Sequence, residues 1–357
     1  MTSSVNANFF SYLLNEKTNL SQLGKEEEEE MWRIAQDFLY SGFLTNSLSF
    51  NKSNFELLNK LEKHNKAFFM NYLIMKKSLA EIVKEFNHKK ISFVVTKGMA
   101  LNLEKIFLPG VRQHRDIDLL VKKEDIERAY KILRGLKFKY DNPETSDNAK
   151  YLLKHQLPPL RNEFGIILEL HHRITNVNLF KECPLTKSFL KKKKESKLMK
   201  GVFIPSLDCL IAHTLYHGIK HHKFTHGPIF LFDLSAIYKF NKNKWPEDLI
   251  LIEKLGLLLE FEKCKKIISD SNSDNKISNE VRDLIKEILS EFNWSSKEEE
   301  ISLLGFANKR FTIKELLLRF KRSFNNFSNE YQLPKTSLKY WVIFFRRMIL
   351  FIKKFKL

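Results

Sequence analysis

F-V-V-T-K-G-M-A-L-N-L-E-K-I-F-L-P-G-V-R-Q-H-R-D-I-D-L-L-V, residues 93–121, holds two strand patterns, a helix pattern between them and a close pair of acids. It begins inside a β-branched run, Ile91–Val95, which predicts a buried strand. Lys97-Gly98 ends that strand, and Met99–Phe107 has the apolar spacing of a short helix. Leu108-Pro109-Gly110 stops the helix, because proline cannot continue it and glycine tolerates the turn. A polar, basic loop, Arg112-Gln113-His114-Arg115, leads into a second strand, Asp116–Val121. Side chains alternate along a strand, so Asp116 and Asp118 project from one face while Ile117 and Leu119 pack on the other. Two carboxylates this close at the head of an apolar strand require a cation between them. A divalent metal is the usual solution.

A third acid stands in a similar setting. Ile166–His171 reads I-I-L-E-L-H, a strand pattern with Glu169 set among aliphatic residues. Paired beside the Asp116–Asp118 strand, Glu169 completes a three-carboxylate site of the kind that holds Mg²⁺ against substrate phosphates. A lone D-x-D reads most simply as the solvent face of an edge strand. The preceding strand, the K-G turn, the P-G-x-R loop and the later E-L-H strand together point instead to a catalytic site.

K-G-x-A-L, P-G-x-R, D-I-D-L-L-V and L-E-L-H together resemble the uncharacterised nucleotidyltransferase family of bacteria, within the polymerase-β-like superfamily. The resemblance covers about 81–238. It implies an α+β fold: a small mixed β-sheet nucleotidyltransferase core with N-terminal helices and an all-helical C-terminal region. The corresponding regions are 1–90, 91–200 and 201–357. Carried over residue by residue, Gly98 places NTP phosphates, Asp116 and Asp118 bind metal, and Glu169 is the third acid, binding a second ion and helping to deprotonate the acceptor. The superfamily's glycine is usually followed by serine or glycine, whereas Met99 follows here and the gap to Asp116 is longer. Lys97 or Arg112 then holds phosphate. His171 shares the neighbourhood of Glu169 at i+2, and His217 and Asp233 match family positions on two helices beside the sheet. These three are expected to position substrate or relay a proton. The implied activity is Mg²⁺-dependent, with Mn²⁺ as a substitute. It moves a nucleoside monophosphate from an NTP to a hydroxyl acceptor, whether small molecule, glycan or RNA. The alternatives are a non-catalytic protein of the same fold that binds an anionic partner, and a toxin-like enzyme that modifies tRNA.

The chain has 357 residues, 43% of them hydrophobic, with only 11 glycines and 9 prolines, which predicts a globular, helix-leaning protein. Its abundance of Lys, Asn, Ile and Phe suits an AT-rich bacterial genome. Cys183, Cys209 and Cys264 lie far apart, arguing against a disulfide framework or a zinc ribbon and for a reducing cytoplasm. No signal-peptide pattern opens the chain, and no apolar run reaches the length of a membrane span. Nothing requires an obligate oligomer. The net charge of +19 suits an anionic partner. From Lys309 to Leu357 there are 13 Lys and Arg against Glu315 and Glu330, so more than half of the excess lies outside the catalytic stretch. Tyr340–Lys354 sets Arg346, Arg347, Lys353 and Lys354 as a basic band among apolar residues. Packing of this segment against the body is the favoured reading. The alternative is an interfacial helix on an anionic membrane, making the protein peripheral at the inner face.

Elsewhere the sequence predicts helices. Glu26–Glu30 places acids in a first turn, where the helix dipole favours them. Phe55–Phe86 is one long helix or two abutting ones. Lys123-Glu124-Asp125 opens a helix to about Leu133, capped by Gly135, and Phe138 and Tyr140 mark a short strand. Lys191–Lys194 reads as a solvated surface, and His155 has no assigned role. Ser206 caps a helix in which His213 and His217 share a face, with His221, His222 and His226 following. The histidines invite a zinc reading, but no cysteine or carboxylate sits at ligand spacing and a Gly227-Pro228 turn adjoins them. Trp245–Lys266 and Ile277–Phe292 read as further amphipathic helices.

Overall fold

Apolar runs at helical spacing on either side of the strand patterns leave the sheet with helices to pack on. A computed structural model describes residues 24–37, 39, 41–47, 55–140, 155–175, 183–222, 229–271 and 283–284. In chain order, α1 (Lys25–Asp37), α2 (Ser41–Ser47) and α3 (Phe55–His88) precede β1 (Phe93–Val95), α4 (Lys97–Leu103) and β2 (Asp116–Val121). A single 3₁₀ turn, Lys123–Asp125, leads into α5 (Ile126–Gly135). β3 (Lys139–Tyr140), β4 (Leu160–Arg161) and β5 (Ile167–His171) complete the main sheet. Then come α6 (Pro184–Lys191), the hairpin β6 (Lys194–Glu195) and β7 (Phe203–Ile204), and α7 (Leu207–Leu215). A π-helical turn, Tyr216–His221, continues α7, and α8 (Ile229–Phe240), α9 (Ile250–Lys254) and α10 (Leu258–Ser271) follow.

The main sheet has the order β1-β2-β5-β4-β3. β1 runs antiparallel to β2, β2 runs parallel to β5, and β5-β4-β3 is antiparallel throughout. The chain is therefore an α+β protein with a mixed sheet. The β2–β5 pair sits inside the sheet, and from Ile117 to Val121 every residue of β2 is buried, which accounts for its near-continuous apolar run. α3 covers the sheet through Tyr72, Met75, Leu79, Ile82, Val83 and Phe86, a stripe at steps of three and four residues. Phe86 and Phe93 meet edge to face at 5.6 Å, joining this helix to β1. Burial of a large apolar side chain of this kind is worth on the order of 1.5–3 kcal/mol. A single apolar core runs from α1 through the sheet to α10.

Several boundaries differ from the sequence expectation, each for a local reason. The helix after β1 begins at Lys97 and ends at Leu103, not Phe107, because Lys105 turns left-handed with φ 65°. Lys123–Asp125 forms the 3₁₀ turn, and Lys137 rather than Gly135 supplies the left-handed residue that ends α5. The Trp245–Lys266 pattern splits into α9 and α10 at Gly256, φ 62°. Phe55–Phe86 is one helix, extended to His88. Most of the Ile277–Phe292 pattern, His226, Gly227-Pro228 and the basic Tyr340–Lys354 segment lie outside the described residues. Among the described residues, no helix is long and apolar enough to cross a membrane.

Candidate active site

The parallel register of β2 and β5 sets Asp118 opposite Glu169 and Asp116 opposite Ile167. Laterally paired residues point to the same side of a sheet, so Asp116, Asp118 and Glu169 share one face. They are not equally accessible. Asp116 and Glu169 line a cleft of about 400 Å³, within the ordinary range for small-molecule sites, while Asp118 lies beneath them at 1% exposure.

The cation that the paired acids require is present as a lysine. Lys97 Nζ lies 2.6 Å from Asp118 Oδ1 and 3.1 Å from Glu169 Oε2. Its backbone is left-handed, φ 52°, a conformation that costs a non-glycine residue on the order of 1 kcal/mol. Two ion pairs at the side chain hold it there. His171 approaches the same carboxylates from within the sheet, with Nε2 2.9 Å from Asp118 Oδ1 and 3.4 Å from Glu169 Oε2.

These contacts separate the titration of the groups. Burial, then the charge of Asp118, pushes the Asp116 carboxyl up to about 7. Burial works in the same sense on Glu169, but the His171 hydrogen bond and the Lys97 charge overcome it and hold Glu169 well below the usual carboxylate range. Burial opposes charge on Lys97 and His171; Asp118 and Glu169 reverse that and raise both. Of the two acids lining the cleft, Asp116 is the stronger base.

The loop after α4 is tied to the helices. Arg112 grips Asp233 of α8 as a fork, Nε to Oδ1 at 2.7 Å and Nη2 to Oδ2 at 3.1 Å, and Nη1 donates to the Gln113 carbonyl. Burial raises the Asp233 carboxyl, and Arg112 opposes that. Next to Arg112, Gln113 donates to Ser41 Oγ and, at 2.8 Å, to Asn65 Oδ1, fixing the loop to α2 and α3. His114 packs against Gly98, where an added Cβ would lie 3.0 Å from the His114 Cβ. A side chain at 98 would press on the imidazole beside it, which would have to give by a few tenths of an ångström. Burial, with Arg112 nearby, drops His114 to about 4.

The opposite wall is helical. His213, His217, His221 and His222 line it, with Phe230 pressed so closely on the π-turn that a Cβ at Gly218 would lie 2.7 Å from its ring. Burial lowers His213 and His217 well below the ordinary histidine range and lowers His221 as well. Burial thus disfavours charge on His213, His217 and His221, where the sheet wall is built on ion pairs.

Lys97, Gly98, Arg112, Asp116, Glu169, His217 and Asp233 all border the one cleft. Asp118 and His171 sit behind it, and Arg112 and Asp233, both expected to meet substrate, meet each other. Sequence reasoning passed over Arg115, which lines the cleft and has no ion pair among the described residues, and His114 beside it. The basic loop before D-x-D was the available signal for Arg115. It also left His155 without a role. That ring sits 5.4 Å from the His171 ring and 5.6 Å from the His221 ring, bridging the two walls.

No curated protein matches the chain. The model of one family, described as uncharacterised nucleotidyltransferases, matches residues 25–264, two thirds of the sequence and the whole of the cleft just described. With that match running from α1 into α10 and an α+β core of the kind the resemblance implies, the chain belongs to the uncharacterised nucleotidyltransferase family.

Proposed function

We propose that the protein transfers a nucleoside monophosphate from an NTP to a hydroxyl acceptor, with Mg²⁺, or Mn²⁺ in its place, held by Asp116, Asp118 and Glu169. The observation that carries this reading is the parallel register that places Asp118 beside Glu169. Asp118, Glu169 and His171 each bring one ligand atom within 4.8 Å of the others, and Asp116 shares their face of the sheet at the cleft. Carboxylate oxygens suit Mg²⁺, and Lys97, which bridges Asp118 and Glu169, would have to yield that place to the ion.

The ion, when bound, draws charge from the phosphates under attack and departure. The chain's own residues do the rest. Asp118 stays fixed by His171, while Lys97 sits where it can follow a phosphate oxygen once the carboxylates have a second partner. Arg115, exposed at the cleft, supplies the positive charge that Arg112 has committed to Asp233. The acceptor oxygen attacks the α-phosphorus, the bond to the bridging oxygen breaks, and pyrophosphate leaves. The acceptor's proton passes to Asp116, the stronger base of the two cleft carboxylates, with Glu169 beside it. Should an anionic polymer or membrane surface be a partner, the basic band at Arg346–Lys354 is where it would meet the chain, as the alternative to packing of that segment against the body.

Incubation with each α-labelled NTP and Mg²⁺ or Mn²⁺, against RNA, glycan and small-molecule fractions of cell extract, tests the reading. Label should move to one fraction and stay behind with Asp118→Asn. Transfer that survives this substitution would overturn it.

A further inference from the structure

The helical wall carries a second set of ligand-type side chains, and it owes its geometry to the π-turn. In an α-helix, residues five apart point about 140° away from each other. In the Tyr216–His221 turn the His222 N–H instead donates to the His217 carbonyl at 3.0 Å, an i→i+5 bond that brings residue 222 back over residue 217. His217, His221 and His222 therefore converge. His222 Nε2 lies 3.0 Å from His217 Nε2 and 3.2 Å from His221 Nδ1, and all three rings offer a nitrogen within 4.8 Å of the others.

Hydrogen bonding alone accounts poorly for this cluster. A neutral imidazole nitrogen carries either one proton or one in-plane lone pair, so His222 Nε2 cannot satisfy both neighbours well. A shared cation can. With metal–nitrogen bonds of about 2.0–2.1 Å, two ligands on one ion lie about 2.9 Å apart at a right angle and about 3.4 Å apart at a tetrahedral one. Both observed separations fall in that interval. The three rings border the cleft, so an ion held by them keeps its remaining position open toward it. Three protein ligands with one open position is the arrangement of a reactive rather than a closed structural zinc site.

We propose that His217, His221 and His222 bind a first-row transition-metal ion of the Zn²⁺ class, distinct from the oxygen-ligated ion of the sheet wall. Imidazole selects Zn²⁺, Co²⁺, Ni²⁺ or Cu²⁺ over Mg²⁺, and carboxylates select the reverse. The two walls therefore sort metals by ligand softness. This site stands on its own geometry and does not depend on the transferase chemistry assigned to the carboxylates.

The test is Co²⁺ titration of the untagged full chain in excess Mg²⁺, read by visible absorption and displacement by Zn²⁺. One equivalent should bind with the strong absorption of a low-coordinate nitrogen site. Asp118→Asn should leave that signal in place, whereas His217→Gln and His222→Gln should each weaken binding at least about tenfold. Metal-free melting curves and circular dichroism establish that each variant folds. His222, at the end of the turn, keeps the test available if His217→Gln does not fold. Absence of tight Co²⁺ binding in the natural chain, or loss of the signal in Asp118→Asn instead of the histidine variants, would overturn the proposal.

Discussion

The sheet wall and the helical wall face each other across one cleft and hold their polar groups by opposite means. On the sheet, acids stand in strand register and are bridged by Lys97 and His171, each within hydrogen-bonding range of Asp118. On the helices, imidazoles are gathered by a change of helical pitch and kept neutral by burial. The lesson is that charge in a buried site requires compensation from across the fold. Residues 97 and 169 are far apart in sequence. Neutral ligands need only local geometry.

The largest effect should come from removing the compensation. Lys97→Met leaves buried Asp118 and half-buried Glu169 facing each other at the base of the cleft without the lysine between them. Breaking such a set costs on the order of 3 kcal/mol, read as a lower melting temperature, and Mg²⁺ or Mn²⁺ should restore part of the loss. A variant that melts like the natural chain, with or without the ion, would mean that the sheet wall does not depend on Lys97.

The next effect separates two arginines of one loop. Arg112→Ala strands the buried Asp233 carboxylate and should cost on the order of 2 kcal/mol. Arg115→Ala changes an exposed side chain, so stability should move by no more than about 0.5 kcal/mol, while NTP affinity drops. Melting curves and nucleotide titration on the two variants should give opposite patterns. Equal stability losses would place Arg115 in the framework alongside Arg112.

That pair also marks how far the sequence could be read. Strand alternation is a two-residue rule, so the shared face of Asp116 and Asp118 followed from spacing, and placing Glu169 beside them required only that the E-L-H strand be the neighbour. The long α3 was legible for the same reason, from period and length, whereas the mixed sheet was an expectation of the family resemblance. The partner of Arg112 was not legible, because Asp233 reaches it from a helix more than a hundred positions later and no local pattern encodes that crossing. Nor was the histidine convergence. At α-helical pitch, His217 and His222 point apart, and nothing in Y-H-G-I-K-H announces that the turn widens. Gly98 was read as the residue that lets phosphate approach the backbone, and the His114 ring packed against it was not legible.

The smallest effect is one of sign, and it distinguishes the walls most directly. Buried His213, on α7, has its pKa held below the unfolded value of about 6.5. As pH falls through that value the unfolded chain takes up a proton that the folded chain refuses, so this group's contribution is present at neutral pH and lost on acidification. His171, on β5, is raised by its carboxylate partners. Its contribution is present below about 6.5 and is lost as pH rises through its higher folded value. Each dependence is bounded by about 1.4 kcal/mol per pH unit, the worth of one proton. Measured in chelator between pH 5 and pH 8, a range set about the histidine value, His213→Gln should flatten the acid side of the stability profile. His171→Gln should flatten the neutral side. If both substitutions flatten the same side, the two walls share one electrostatic character and the contrast between them fails.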